Sequence, residues 1–342
     1  MLKSGAFYSM DLLLRLVLGA VMGDILLGRK AGYHAALWGS VAALIPASDL
    51  LGQYSLPPFE YLMSLRSATH SLLFCFLAAL AGGQLLSLIP LNRRFATRLQ
   101  WTRLVFAAML SHVALDCLSI RGAQVFYPFS KMQIAFGLIA EQDGIFILLL
   151  AAGLIVSYIS LAGKPLFRQA TQAALFLCVS YAALLLVNKN IAYQVFRSEF
   201  HRSGKSVSHL NAYPFANQGF TWYAVGREPQ GYQIGYYAIL EGKQSLRFHF
   251  EPHGHLLLPD SLENEVITQL RTFSDENYIL EMTGDSTLRW YDLRFGVSDY
   301  TFPQGQKAHF LFSFDLVKKD SVFSGIEFRR NQLDDPRVDV VK

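Results

Sequence analysis

The sequence predicts an α-helical integral membrane bundle of about six spans, followed by a small β-rich soluble domain. Three observations predict it. Long apolar runs fill residues 1–187 and then stop. Charged residues are only 16% of the chain against 52% hydrophobic, and they gather between the runs and after them. From residue 215 the pattern turns to short alternating stretches, rich in aromatics and separated by Gly or Pro, as strands require. A chain of 342 residues has room for both parts.

The first run, Asp11 to Leu27, is short and interrupted by Arg15 and Asp24. Gly28-Arg29-Lys30 ends it, and Asp24 is expected to pair with Arg29 or Lys30. Ala31 to Leu51 is the second run. His70 to Pro90 is the third, without a charged residue over the ~20 positions a bilayer needs. Leu104 to Ile120, Gly144 to Gly163 and Thr171 to Val187 complete the six. Residues 188–214 read as a polar, basic connecting helix or linker, in which the last helix runs out of the membrane. Within 215–328, Gly219 to Gly226, Gly231 to Glu241 and Ser245 to Glu251 read as strands, Leu262 to Thr272 as a helix, and Asn277 to Thr283, Thr287 to Phe295 and His309 to Leu316 as further strands. Residues 329–342 read as a polar tail.

Six spans place both ends of the chain on one side. Loops on the other side carry Arg29, Lys30, Arg93, Arg94, Arg98, Arg103, Lys164 and Arg168 and no acidic residue. By the positive-inside rule those loops are cytoplasmic. The expectation is a multi-pass inner (plasma) membrane protein whose C-terminal domain is periplasmic or extracellular. The net charge of +4 sits mostly in loops between spans, so the expected partner is the bilayer and not nucleic acid. Cys75, Cys117 and Cys178 fall in apolar runs without paired spacing, which argues against a zinc–thiolate site. The first run lacks a small-residue cleavage site, so no cleavable signal peptide is expected.

Ionisable groups in such runs are costly and mark sites. His112 and Asp116 are four residues apart and share a helix face. Asp49, His70 and Asp143 fall near the same ends of their runs. Four segments thus bring imidazoles and carboxylates to one depth, a donor set suited to zinc, manganese or iron. The candidate metal ligands are Asp49, His70, His112 and Asp116. Asp143 is the candidate base or ligand-orienting group, and Arg66 the candidate binder of a substrate anion. Each also has a plainer reading: His70-Ser71 and Asp143-Gly144 could simply begin helices. His249, His253 and His255 straddle a strand end and a turn, and read only weakly as a second metal set.

Three blocks resemble the YdjM-like membrane-bound, metal-dependent hydrolases of bacteria. VLGAVMGDILLGRK with the later PASDLL resembles that family's LGaavGEavLGrk…PDLD segment. LRSATHSLL at 65–73 resembles HRGxTHSLL, and SHVALDCLSIRGAQVFYPFS at 111–130 joins H-x-x-x-D to G…PFS. GYQIGYYAIL and DLRFG extend the likeness to about residue 300. Departures fall at Ala47 and Leu65, where the family has Asp and His, and at Asp24, where it has Glu. The resemblance implies a divalent metal, most simply zinc, and phosphoester or lipid-type substrates. Two rivals stand beside the hydrolase. One is a catalytically degenerate relative serving as a membrane scaffold or envelope-stress factor. The other is a proton-coupled transporter, against which no inverted repeat or broken helix pair is visible.

Overall fold

The computed structural model describes residues 2–139, 143–159, 169–215, 219–254, 265–283, 287–297, 310–319 and 322–329. These divide into two compact units. Unit 1 comprises Met1–Ser55 and Ser64–Leu186, and unit 2 comprises Leu56–Met63 and Val187–Lys342.

Unit 1 is helical. It contains α1 (Leu2–Ala31), α2 (Tyr33–Ala43) leading into a 3-10 helix (Pro46–Tyr54), a 3-10 turn (Ala68–His70), α4 (Leu72–Leu88), α5 (Pro90–Phe95), α6 (Arg98–Leu118), α7 (Gly144–Ile159) and the first half of α8 (Ala170–Arg202). α6 and α8 are each long and apolar enough to cross a membrane. Two bent pairs raise that number to four if each is one span: α2 with its 3-10 helix, bent 48°, and Phe59–His70 with α4, bent 60°. Each of the six apolar runs forms helix within the described residues, but α7 is shorter than a full span and α1 does not meet the same test. The end of the fifth run, residues 160–163, lies outside the described residues.

Small residues set the close approach of α1 and α2. A Cβ added at Gly19 would stand 2.4 Å from the Gly39 carbonyl oxygen, and one added at Gly39 only 2.1 Å from that of Gly19. α1 and α2 therefore meet backbone to backbone, the usual way helices pack where no hydrophobic effect drives them together. Ser71 caps α4 by accepting from the Phe74 amide at 3.1 Å. Thr97 and Gln100 form a reciprocal capping box that starts α6. The third run thus breaks at Ser71, and His70 sits in the turn before the helix.

Unit 2 contains two four-stranded antiparallel sheets, each in simple sequence order. The first is β1 (His209–Pro214), β2 (Thr221–Glu228), β3 (Gly231–Ala238) and β4 (Arg247–Pro252). The second is β5 (Tyr278–Met282), β6 (Thr287–Asp292), β7 (Ser313–Lys319) and β8 (Val322–Arg329). The connector expected over 188–214 is the last part of α8 followed by β1. The helix does run on beyond Val187, and its Ala192, Phe196 and Phe200 bury in one core with Ala212, Trp222, Ala224 and Tyr237 of the first sheet. The expected helix at 262–272 is α9 (Glu265–Phe273). His255 and the tail beyond Arg329 lie outside the described residues.

The second sheet has a contributor from far upstream. Leu62 of α3 (Pro58–Ser64) is 1% exposed, in one core with Ile267, Leu270, Trp290 and Phe314. Phe59 and Met63 pack beside it. Leu62→Ala is expected to destabilise unit 2 by about 2–5 kcal/mol, as for other buried leucines. Thermal unfolding of the whole protein in detergent checks this, with exposed Leu240→Ala as the neutral comparison.

Candidate metal centre

The centre is assembled from five segments of unit 1. One turn of α6 separates His112 from Asp116, and both side chains are buried. The 3-10 turn before α4 delivers His70, which is 2% exposed. The 3-10 helix after α2 carries Asp49, and α1 carries Arg15. Arg66 sits just before the turn with φ 55°, an uncommon conformation for a residue with a side chain. Its backbone amide donates to Asp49 Oδ2 at 2.8 Å, and its Nη1 donates to Ser119 Oγ at 2.8 Å.

Asp116 is the hub. Its Oδ1 accepts from Arg15 Nη2 at 2.7 Å and lies 3.7 Å from Arg66 Nη2. Its Oδ2 faces two imidazoles, 2.9 Å from His70 Nε2 and 3.1 Å from His112 Nε2. The two rings meet edge to face at 5.2 Å between centroids. Arg15 also donates to Asp11, one turn earlier on α1.

The far nitrogens of the rings fix what the near ones can do. His112 Nδ1 lies 2.5 Å from the Ala43 carbonyl oxygen, which can only accept, so Nδ1 carries the proton. In the neutral ring Nε2 is then a lone pair aimed at a carboxylate oxygen. Two acceptors face each other, and neither His112 Nε2 nor Asp116 Oδ2 makes a hydrogen bond. Buried polar atoms are almost always satisfied. A proton on His112 or a cation among the three atoms resolves the conflict. Ligand atoms of His70, His112 and Asp116 all lie within 4.8 Å of one another, so the donor set fits a metal ion.

Asp49 stands behind this group. Its Oδ2 is 3.5 Å from His70 Nδ1, with Thr69 Oγ1 at 3.0 Å from the same nitrogen. A carboxylate on the far nitrogen orients a ligating imidazole. Of the residues expected here, the structure therefore brings together His70, His112 and Asp116, with Asp49 and Arg66 beside them. Asp143 makes its hydrogen bonds to other groups. Its Oδ1 accepts from the Ile145 amide at 2.9 Å, starting α7, and its Oδ2 accepts from the Tyr181 hydroxyl at 3.0 Å. Asp24 does not pair with Arg29 or Lys30. Its Oδ2 accepts from Ser157 at 3.0 Å and Thr171 at 2.9 Å, because neighbouring helices offer hydroxyls closer than the flexible basic side chains.

Sequence reasoning missed Arg15, Ser119 and the Ala43 carbonyl. Only Arg15 left a signal, as a lone cation in an apolar run one turn after Asp11. In unit 2, His249 Nε2 lies 2.8 Å from Glu251 Oε1 and His253 Nε2 lies 2.9 Å from the Glu228 carbonyl. Each of these two has a local partner, and burial holds His253 below the usual histidine range. His253 lines a cavity of about 280 Å³ with Arg227, Glu228, Tyr232 and Glu276.

A bundle of apolar helices that buries an arginine, two histidines and a carboxylate in contact defines a membrane protein with a polar centre between its helices. The chain belongs to the YdjM inner membrane protein family, whose family model matches residues 10–192. The match ends before the sheets, so the likenesses at GYQIGYYAIL and DLRFG stand outside it. No curated protein and no solved structure matches the chain.

Proposed function

We propose that this protein is a multi-pass inner-membrane hydrolase that uses one divalent metal ion on phosphoester or lipid-type substrates. The observation that carries this reading is the opposed, unsatisfied pair His112 Nε2 and Asp116 Oδ2, with His70 Nε2 at the same point. His70, His112 and Asp116 hold the ion, with zinc favoured by two imidazoles and one carboxylate and with manganese or iron as alternatives. The ion supplies Lewis acidity and activates water. Asp49 keeps the His70 ring oriented, and Arg66 presents its guanidinium to the anionic group of the substrate.

Six crossings fit the division of the chain. Leu56–Met63 and Val187–Lys342 form one compact unit, which supports a reading in which both lie on one side of the membrane. The chain between them crosses an even number of times, as α4, α6, α7 and α8 would supply, with α1 and α2 before them. The Arg-rich loops then face the cytoplasm and unit 2 faces the periplasm.

Arg15 favours a second reading, the non-catalytic relative. At 2.7 Å from Asp116 Oδ1 it already neutralises the carboxylate that a metal would need. Metal content separates the two. Protein purified in mild detergent is expected to hold about one zinc, manganese or iron per chain, lost in His112→Ala and in His70→Ala. A metal-free parent protein, purified without chelator and still unloaded after incubation with each ion, sinks the hydrolase and leaves an ionic cluster closed by Arg15.

A further inference from the structure

We propose that residues 119–139 form a rigid platform that beds in the headgroup layer of an anionic phospholipid leaflet. The stretch follows α6, a helix long and apolar enough to cross a membrane, and so begins where that helix leaves the bilayer. It is firmly built. Ala123 and Ile134 exchange backbone hydrogen bonds of 3.1 and 2.9 Å, and the Phe136 amide donates back to the Cys117 carbonyl at 2.7 Å. Gly122, at φ 73°, lies so close under Ile134 that a Cβ there would stand 2.4 Å from its carbonyl oxygen. The fold of this stretch is thus fixed, and its outward residues are held outward.

Those residues are apolar. Phe129 is 86% exposed, Met132 59%, Phe136 52% and Phe126 46%. Four large apolar side chains exposed on one ordered stretch make an apolar patch, and such patches mark membrane or partner surfaces. Charge chooses between the two. Residues 119–139 contain Arg121 and Lys131 and no Asp or Glu, and exposed Lys131 lies between Phe129 and Met132. Aromatics beside cations complement the acyl–headgroup boundary of a negatively charged leaflet. The platform is also tied to the candidate metal centre. The Gln124 amide donates to the Arg66 carbonyl at 2.9 Å, and the Leu72 amide donates to the Val125 carbonyl at 2.9 Å. The depth at which it sits therefore sets the depth of Arg66.

The test uses the full-length protein in vesicles of phosphatidylethanolamine and phosphatidylglycerol. A spin label is placed at Phe129→Cys and, as an aqueous reference, at Lys243→Cys; Cys75, Cys117 and Cys178 are buried, and the unsubstituted protein reports any background. Power saturation then compares collisions with oxygen and with a water-soluble nickel chelate. The Phe129 label is expected to favour oxygen, and the Lys243 label the chelate. Equal chelate access at both positions overturns the proposal. Poor access to both reagents at position 129 also overturns it, because that face is then covered by protein. Changing to phosphatidylcholine, or adding Lys131→Glu, is expected to shift the Phe129 label toward water, and an unchanged depth removes the anionic lipid from the claim. None of these readouts depends on metal or hydrolysis, so the platform and the hydrolase reading stand or fall separately.

Discussion

Asp116→Ala is expected to destabilise unit 1 by about 3–5 kcal/mol, the range for removing one partner of a buried ion pair. The change strands Arg15, which is 4% exposed and whose Nη2 has its short contact with Asp116. It also removes the group that both His70 and His112 face. A drop in thermal stability in detergent measures the effect. The double variant Arg15→Met with Asp116→Leu is the informative control. If the cluster is mainly an ion pair, filling the space with apolar groups recovers most of the loss, since a whole buried pair replaced by hydrophobic side chains is often near neutral. If a metal dominates, the double variant stays destabilised relative to the loaded parent, and the parent loses the difference when stripped by chelator.

The second large effect is in unit 2. Arg294→Ala is expected to cost about 3–5 kcal/mol for the same reason. Asp292 is fully buried and takes Arg294 in a two-pronged grip, Nε at 2.9 Å from Oδ1 and Nη2 at 2.6 Å from Oδ2. The same carboxylate accepts the Arg294 amide at 3.1 Å and starts the turn after β6. The guanidinium also lies 5.4 Å from the Phe273 ring centre and 5.8 Å from that of Phe295. Burial works against its charge, yet the Asp292 carboxylate raises it above the ordinary arginine value. Arg294→Lys is expected to recover little, because an ammonium cannot span both oxygens. Denaturant unfolding followed by the fluorescence of Trp222 and Trp290, both fully buried in this unit, reads the loss directly.

The apolar runs and the His112–Asp116 spacing were legible because helix periodicity and unfavourable charge are local properties of a sequence. Asp49, His70 and Arg66 were legible only as a convergence of segments, and their roles were not. Nothing in the chain tells that Asp49 stands behind His70 while Asp116 stands in front. Arg15 read as a flaw in the first run, since its partner lies 101 residues away. Asp143 reads as part of the site because it begins its run at a similar depth, and its bonds to the Ile145 amide and the Tyr181 hydroxyl are partners that the sequence does not name. β1 was hidden because HLNAYP is short and follows a basic stretch, so only pairing with β2 makes it a strand. In α3, PFEYLMS is too short to carry a periodic signal, and its apolar face has meaning only beside the distant sheet.

That helix constrains how the protein is made. Phe314, a neighbour of Leu62 in the finished core, emerges from the ribosome 252 positions later. At a translation rate of ~5–20 residues per second the wait is ~10–50 s. Until Ile267, the first buried partner in that core, emerges 205 positions after Leu62, the strip of Phe59, Leu62 and Met63 has no native counterpart, while the intervening segments are threaded into the bilayer. Nascent chains should therefore keep this short hydrophobic strip against lipid or a chaperone, and release it only when those partners arrive.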